Sequence, residues 1–265
     1  MSTEQAFAQA KAEGRSALVG YLPAGFPDLD GAVQALKVMV EAGCDVIEIG
    51  LPYSDPVMDG PTIQAAAQQA LEAGTRTADV LRTVEAVART GVPTVIMTYW
   101  NPVVRYGVER FARDLASAGG AGLITPDLVP DEASDWIAAA DAHALDKVFL
   151  VAPSSTDVRL QQTTEACRGF VYATAVMGVT GVRDSSSDLA GPLVERARAV
   201  TDLPLGVGLG VSTGDQAAEV ARYADGVIVG SAFVRRLLDA ADDRAAGLAS
   251  LAELTRDLAE GVRRA

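Results

Sequence analysis

The sequence predicts an α/β fold, a single-domain (β/α)8 TIM barrel with an extra N-terminal helix. Short apolar runs alternate with segments of helical period along all 265 residues, and eight such strand–helix units can be counted. Nothing between them looks like a linker. Strands that are each followed by a helix pair in parallel with right-handed crossovers, and eight units at this length favour a closed barrel. We therefore expect residues 1–265 to form one domain.

The segment before the first strand is the expected extra helix. It reads MSTEQAFAQAKAEGR, a polar and amphipathic stretch in which Ser2 and Gln5 form a capping signal. It lacks the basic and then apolar pattern of a signal peptide, and no apolar run is long enough to span a bilayer. These features predict a soluble protein of the cytoplasm that does not contact a membrane.

Eight apolar, β-rich runs are the predicted strands. In chain order they are ALVGYL from Ala17, DVIEIG from Asp45, PTVIMTY from Pro93, AGLITPD from Ala121, KVFLVAP from Lys147, GFVYATA from Gly169, PLGVGLG from Pro204 and DGVIVG from Asp225.

The segments between the strands carry the start and stop signals of helices. In the first of them Asp30 is placed to cap the N-terminus, and Gly43 is placed to end the helix. Ser155 and Thr156 precede a later helix, and Ser212 precedes another. The main alternative fold is an open dinucleotide-binding sheet, since GVGLG resembles its fingerprint. The spacing is not G-x-G-x-x-G, and the motif falls near the seventh strand rather than the first.

Composition argues against several kinds of ligand. The net charge of −13 disfavours binding to a nucleic-acid backbone, although backbone amides can bind a small phosphate whatever the net charge. Cys44 and Cys167 have no metal-ligand spacing, and each closes a predicted helix just before a strand. The single histidine, His143, has no companion for a zinc site or a catalytic triad, and we expect it at the surface. No metal is expected.

Glu48 lies in the middle of the second predicted strand, where glutamate is rare unless it is paired or used. Side chains alternate along a barrel strand, and Ile47 and Ile49 suit the side that faces the helices. Glu48 would then point into the barrel, near the strand end at which TIM-barrel active sites are built. Partial exclusion of water would raise its pKa, so that it could both accept and donate a proton.

The loop that follows, residues 51–61, is long for its position and carries Asp55 and Asp59. Most loop aspartates form turns or cap helices. Thr62 is itself a plausible cap for the next helix, so capping does not require Asp59. A carboxylate on a loop above Glu48 would suit acid–base chemistry, but the spacing alone does not fix the distance between them.

Glycines cluster at the ends of the last two predicted strands. They include Gly206, Gly208 and Gly210 on the seventh strand and Gly226 and Gly230 on the eighth, with a short helix predicted to begin at Ser231. TIM barrels commonly bind phosphate there, on the loops after strands seven and eight and on the amides of a short helix. The MGVTG loop at 177–181, with Arg183 beyond it, could contribute as well. The alternative is that these glycines only make turns.

Eight stretches of the chain together resemble the tryptophan synthase α subunit, over essentially the whole length. They are GYLPAGFPD, IEIGLPYSDPVMDGPTIQ, MTYWNPVVRYG, LITPDLVPDE, FLVAPSSTD, GFVYATAVMGVTG, LGVGLGVST and VIVGSAFV, and the second is the most specific. The resemblance implies a lyase that cleaves indole-3-glycerol phosphate to indole and glyceraldehyde 3-phosphate in tryptophan biosynthesis. It implies no cofactor on this chain.

The resemblance also assigns roles to residues. Glu48 matches the catalytic glutamate, and Asp59 matches the aspartate that binds the indole N–H. The positions that match substrate-binding residues are Tyr21, Tyr172, Thr180, Gly181, Gly210, Gly230 and Ser231. Three residues depart from what is common in the family, since Tyr21 replaces Phe in many members, Val176 replaces Arg in some, and Met58 enlarges the loop.

The implied partner is a pyridoxal-phosphate (PLP) β subunit, in an α2β2 heterotetramer, which receives the indole. Apolar and aromatic residues of the predicted top loops are candidates for this contact, namely Tyr53, Pro56, Val57, Met58, Trp100, Pro102, Val103 and Pro130. Two other readings stay open at this point. One is another phosphate-binding barrel enzyme, such as an isomerase or a thiamine-phosphate synthase-like transferase, and the other is a catalytically silent subunit that only activates a partner.

Overall fold

The computed structural model describes residues 1–174 and 187–264. Its eight strands form a closed barrel in sequential order from β1 to β8, and β1 pairs with β8 to close it. All the neighbouring strands are parallel. The predicted TIM barrel is therefore confirmed, and the open dinucleotide-binding sheet is wrong.

All eight predicted strands are present, and most of them are a residue or more shorter than the apolar runs. They are β1 Ala17–Pro23, β2 Val46–Gly50, β3 Thr94–Met97, β4 Gly122–Thr125, β5 Asp146–Val151, β6 Val171–Thr174, β7 Leu205–Gly208 and β8 Gly226–Val229.

Helices surround the strands on the outside of the barrel. Those in the described residues are α1 Thr3–Ala12, α2 Leu29–Ala42, α3 Pro61–Glu72, α4 Thr77–Ala88, α5 Trp100–Tyr106, α6 Val108–Ser117, α7 Ser134–Ala142, α8 Asp157–Ala166, α9 Ser187–Arg198, α10 Gly214–Ala221, α11 Ser231–Leu238 and α12 Arg244–Gly261. A short 3-10 helix lies at Pro130–Glu132. Within the described residues, no helix combines the length and the apolar character that crossing a membrane requires.

Three of the predicted caps need correction, because the capping residue must sit just outside the first helical turn. Asp28, not Asp30, caps α2 and accepts the Gly31 N–H. Thr213, not Ser212, caps α10. Thr62 lies inside α3, which begins at Pro61 with no side-chain cap. The signals at Ser2 and Gln5, at Thr156 and at Gly43 are confirmed.

The apolar core forms two layers, one inside the barrel and one between the strands and the helices. Val46 belongs to the inner layer with Val95, whereas Ile47 and Ile49 belong to the outer layer. This alternation confirms the predicted facing of β2. Glu48 therefore shares the inner side of its strand with Val46.

Helix α1 closes the end of the barrel at which the strands begin. Phe7 is buried in the inner layer and stacks on Phe170, with ring centroids 5.1 Å apart. The backbone N–H and the hydroxyl of Thr3 both donate to Asp146 Oδ2, at 3.0 and 2.7 Å. The N-terminal helix thus completes the core at the end opposite to the strand C-termini.

The two cysteines and the histidine occupy structural positions. Cys44 and Cys167 are both buried and unpaired, and each follows a helix just before a strand, as predicted. His143 ends α7 and is half-buried on the outside of the barrel, where its Nε2 lies 2.8 Å from Glu109 Oε1. Among the described residues, no group of three or more His, Cys, Asp or Glu side chains is placed to hold a metal ion.

Candidate active site

Glu48 lies near the C-terminal end of β2, and only 1% of its surface is exposed. Burial, together with the nearby negative charge of Asp59, raises the pKa of its carboxyl group to about 8. Its Oε2 atom is buried and has no hydrogen-bond partner within residues 1–174 and 187–264. Glu48 is thus a carboxyl group that stays largely protonated at neutral pH and has a free oxygen.

Asp59 lies on the loop between β2 and α3 and is half-buried. Burial raises the pKa of this carboxyl group, while a hydrogen bond from Tyr99 opposes the rise. The Tyr99 hydroxyl donates to Asp59 Oδ1 at 3.1 Å. Asp59 caps no helix, because α3 begins after Gly60 without a side-chain cap. Its carboxylate is therefore available to the pocket that contains Glu48.

One pocket at the C-terminal ends of the strands brings most of the predicted site residues together. Glu48 and Asp59 both line it. The apolar residues of the lining are Met58, Ile63, Met97, Leu150 and Ile228, and the small or polar ones are Thr174, Gly208, Gly210, Gly230 and Ser231. The arrangement suits a ligand that has a flat apolar part and a polar end.

Two tyrosines, Tyr21 and Tyr172, also line the pocket, and glycines on the neighbouring strands leave room for them. Tyr21 pairs with Glu48 across β1 and β2, and its hydroxyl occupies the space that a side chain on Gly50 would need. A Cβ atom on Gly208 would lie 2.6 Å from the hydroxyl of Tyr172. Burial raises the pKa of both phenols well above the usual range, so each hydroxyl remains a hydrogen-bond donor.

The glycine end of the pocket presents backbone amides. Helix α11 begins at Ser231 behind Gly230 and has no side-chain cap, so its first N–H groups face outward from the helix end. Gly210 has a φ of +75°, a conformation that L-residues rarely adopt. The predicted short helix at Ser231 is confirmed. Thr180, Gly181, Val176 and Arg183, which belong to the predicted loop after β6, lie outside the described residues.

Asp55 does not join this pocket. It is exposed, and it accepts a hydrogen bond from the Ser54 hydroxyl at 2.6 Å. The site residues predicted from the sequence do not include Tyr99, which binds Asp59, or Met97 and Leu150, which line the pocket. Met97 and Leu150 could have been predicted, because alternation along β3 and β5 directs their side chains into the barrel near the strand ends. No local sequence pattern indicates the contact between Tyr99 and Asp59.

The fold and the pocket together place the protein among the TIM-barrel enzymes, whose sites lie at the C-terminal ends of the strands. The model of one family, described as tryptophan synthase alpha chain, matches residues 7–263. The chain therefore belongs to the tryptophan synthase alpha chain family, and the resemblance seen in its sequence is confirmed.

Individual relatives agree with this assignment. The chain is 65% identical over 258 residues to the tryptophan synthase alpha chain of Salinispora tropica, covering 97% of this chain and 96% of that one. A solved structure of Mycobacterium tuberculosis tryptophan synthase is 56% identical, with a TM-score of 0.92 and 98% of both chains covered. The tryptophan synthase subunit alpha of Legionella pneumophila is 30% identical, with a TM-score of 0.91 and full coverage of both chains.

Proposed function

We propose that this chain cleaves indole-3-glycerol phosphate to indole and glyceraldehyde 3-phosphate, as a carbon–carbon lyase of tryptophan biosynthesis. The observation that carries the proposal is the pairing of Glu48, whose pKa is raised to about 8, with Asp59 in one pocket. Membership of the tryptophan synthase alpha chain family supports it. The alternative barrel enzymes considered from the sequence receive no support from the relatives.

Glu48 is proposed to move the proton that the reaction requires. In this retro-aldol cleavage, the ring carbon that bears the side chain gains a proton, and the adjacent side-chain hydroxyl loses one as it becomes an aldehyde. A carboxyl group that is protonated at neutral pH can donate to the ring carbon and then accept the hydroxyl proton. One group with a pKa near the working pH serves both steps, and it ends the reaction in the protonation state in which it began.

Asp59 is proposed to stabilise the charge that appears when the ring carbon is protonated. The indole then becomes a cation whose charge is shared with the ring N–H, and a carboxylate that accepts this N–H stabilises it. Within residues 1–174 and 187–264, the Asp59 carboxylate accepts a hydrogen bond from Tyr99 at Oδ1, and its Oδ2 is open to such a contact. In this role Asp59 must be ionised.

The rest of the pocket is proposed to hold the two ends of the substrate. The apolar side chains of the pocket and the rings of Tyr21 and Tyr172 suit the indole, and the amides around Gly210, Gly230 and Ser231 suit the phosphate. Thr180 and Gly181 join the proposed site only through the family resemblance. Proton transfer and charge stabilisation account for the reaction, so we propose that this chain needs no cofactor and that PLP belongs to a β subunit.

The rim around the pocket is proposed to bind this β subunit in an α2β2 heterotetramer. Val57, Val104 and Val129 are exposed, and they follow the ends of β2, β3 and β4 on one face of the barrel. Val103, a residue that the sequence favoured for this contact, lies on the buried face of α5 and cannot take part. Indole released in the pocket would leave through this face.

We propose that residues 1–265 form one domain, because β1 pairs with β8 and the barrel closes on itself. We also propose that the enzyme works in the cytoplasm, where the unpaired state of Cys44 and Cys167 is usual.

The test is release of indole from indole-3-glycerol phosphate by the purified chain, with and without a tryptophan synthase β subunit. Wild type is expected to release indole in both cases and faster with the partner. Glu48→Gln and Asp59→Asn are expected to lose most of this activity while they still bind the inert analogue indole-3-propanol phosphate. Val104→Asp is expected to weaken co-elution with the β subunit. Absence of indole release by wild type, even with a competent β subunit, would favour a catalytically silent subunit.

A further inference from the structure

Tyr99 lies two residues beyond the end of β3 and touches the loop that carries Asp59. Only 5% of its surface is exposed. Its hydroxyl accepts the backbone N–H of Met58 at 2.9 Å and donates to Asp59 Oδ1 at 3.1 Å. A single oxygen atom therefore binds both the backbone next to Asp59 and the carboxylate itself.

The position of Tyr99 is set by contacts other than Asp59. The N–H of the next residue, Trp100, donates to Asp127 Oδ1 at 2.9 Å, which ties this turn to the end of β4. The N–H of the preceding residue, Thr98, donates to the carbonyl of Ile124 on β4 at 3.2 Å. Tyr99 is thus anchored to the barrel rim, whereas the Asp59 loop has no regular structure between β2 and α3.

We propose that Tyr99 is a positioning residue for the reaction, which holds Asp59 by one carboxylate oxygen so that the other faces the indole N–H. This inference rests on the proposed function and concerns a residue to which the family resemblance assigned no role. Tyr99 acts only through Asp59, because the pocket around Glu48 is lined by Asp59 and not by Tyr99 itself.

The chemistry of the hydroxyl fits this role. Burial raises the pKa of Tyr99 to about 12, so the group stays protonated at the pH at which the enzyme works and remains a donor to Asp59. The described titratable groups that face Asp59 are Tyr99, Glu48 and Tyr21. Of these, Tyr99 is the one whose hydrogen bond favours the ionised form of Asp59, the form that the reaction requires.

Removal of the hydroxyl should therefore have two linked effects. In Tyr99→Phe the Asp59 carboxylate loses its donor and the Met58 N–H loses its acceptor. The pKa of Asp59 should rise further, which would move the acid limb of the kcat/KM profile to higher pH. The loss of one hydrogen bond to a charged group also predicts a fall of about tenfold in kcat/KM at neutral pH.

Tyr106→Phe is the matched control. The Tyr106 hydroxyl also donates to an aspartate, Asp114 Oδ2 at 2.8 Å, and Tyr106 ends the helix that Tyr99 precedes. It does not line the pocket that contains Glu48. This variant loses one tyrosine-to-aspartate hydrogen bond in the same part of the chain, and its kcat/KM and pH profile are expected to match those of wild type.

The experiment measures indole release by the two variants and by wild type between pH 5 and 9, together with their thermal unfolding. Wild-type turnover tests the proposed function by itself. If wild type turns over and Tyr99→Phe keeps the same rate and the same acid limb, the positioning role is wrong. A lower rate with an unmoved acid limb also overturns it, since general loosening of the fold would do the same.

A double-mutant cycle separates action through Asp59 from direct action on the ligand. Tyr99→Phe is expected to weaken binding of indole-3-propanol phosphate in the wild-type background and to have less than about a twofold effect in Asp59→Asn. Equal weakening in both backgrounds would show that Tyr99 does not work through Asp59, and it would overturn the proposal.

Discussion

Replacement of Glu48 by glutamine is expected to stabilise the fold while it removes the activity. Glu48 is almost fully buried, and burial raises its pKa from 4.5 to about 8. At neutral pH the carboxyl group ionises in the unfolded chain, and this lowers the free energy of the unfolded state. In the folded chain the group stays mostly protonated, so the folded state is not stabilised in the same way. Glutamine has nearly the same shape and no such ionisation, so the folded variant avoids this disadvantage.

The size of the effect follows from the two pKa values. Below about pH 4.5 the group is protonated in both states and makes no difference to stability. Between pH 4.5 and about 8 the unfolded state alone ionises, so the cost to folding grows as the pH rises and then stays constant. It amounts to about 3 kcal/mol at pH 7 and about 5 kcal/mol above pH 8, both as orders of magnitude.

Urea unfolding at pH 5, 7 and 8.5 measures this difference between wild type and Glu48→Gln. The control is Glu41→Gln, on the exposed face of α2, which is expected to change stability by less than about 0.5 kcal/mol at each pH. The advantage of Glu48→Gln should be small at pH 5 and should increase to pH 8.5. An advantage that is absent, or that does not change with pH, would refute the raised pKa on which the mechanism depends.

Three further predictions test the pocket and the barrel. The kcat/KM of wild type should fall above about pH 8 as Glu48 loses its proton, and it should fall at acidic pH as Asp59 gains one, which a pH series of indole release would show. Gly208→Ala should raise KM for indole-3-glycerol phosphate, because its Cβ would lie 2.6 Å from the Tyr172 hydroxyl; an unchanged KM would contradict this packing. Phe7→Ala should lower the free energy of unfolding by roughly 3–5 kcal/mol while turnover of the folded protein is kept, since Phe7 fills the opposite end of the barrel.

The sequence was sufficient for the barrel and for the direction of Glu48, because both depend on periodicity. Alternation of period two in β2 placed Val46 and Glu48 on one side and Ile47 on the other, and the inner and outer core layers confirm it. The helix at Ser231 was also predictable, because a glycine-rich strand end precedes a segment of helical period. These sequence patterns are local, and the structure confirms the element that each of them predicts.

The contacts of Asp59 could not be predicted from the sequence, because they join segments that are far apart in the chain. Tyr99 reaches Asp59 from the turn after the next strand, and no local pattern records that approach. The same limit explains the error at Val103, which is apolar and lies in a rim segment but faces inward under its helix. The predicted cap at Asp30 failed for a smaller reason, since Asp28 begins the helix two residues earlier.

The two ends of the barrel have different roles: the N-terminal end contributes to stability, and the C-terminal end holds the proposed active site. At the N-terminal end, Phe7 stacks on Phe170 and Thr3 donates twice to Asp146, so these apolar and polar side chains have partners. At the C-terminal end, Glu48 is buried with an oxygen that has no partner in the described part of the chain, an arrangement that lowers stability. An inner layer of apolar side chains separates the two ends. The free-energy cost of burying Glu48 is confined to the pocket. Substitutions that improve packing at the N-terminal end of the barrel should therefore raise stability without changing the raised pKa of Glu48, which the proposed proton transfer requires.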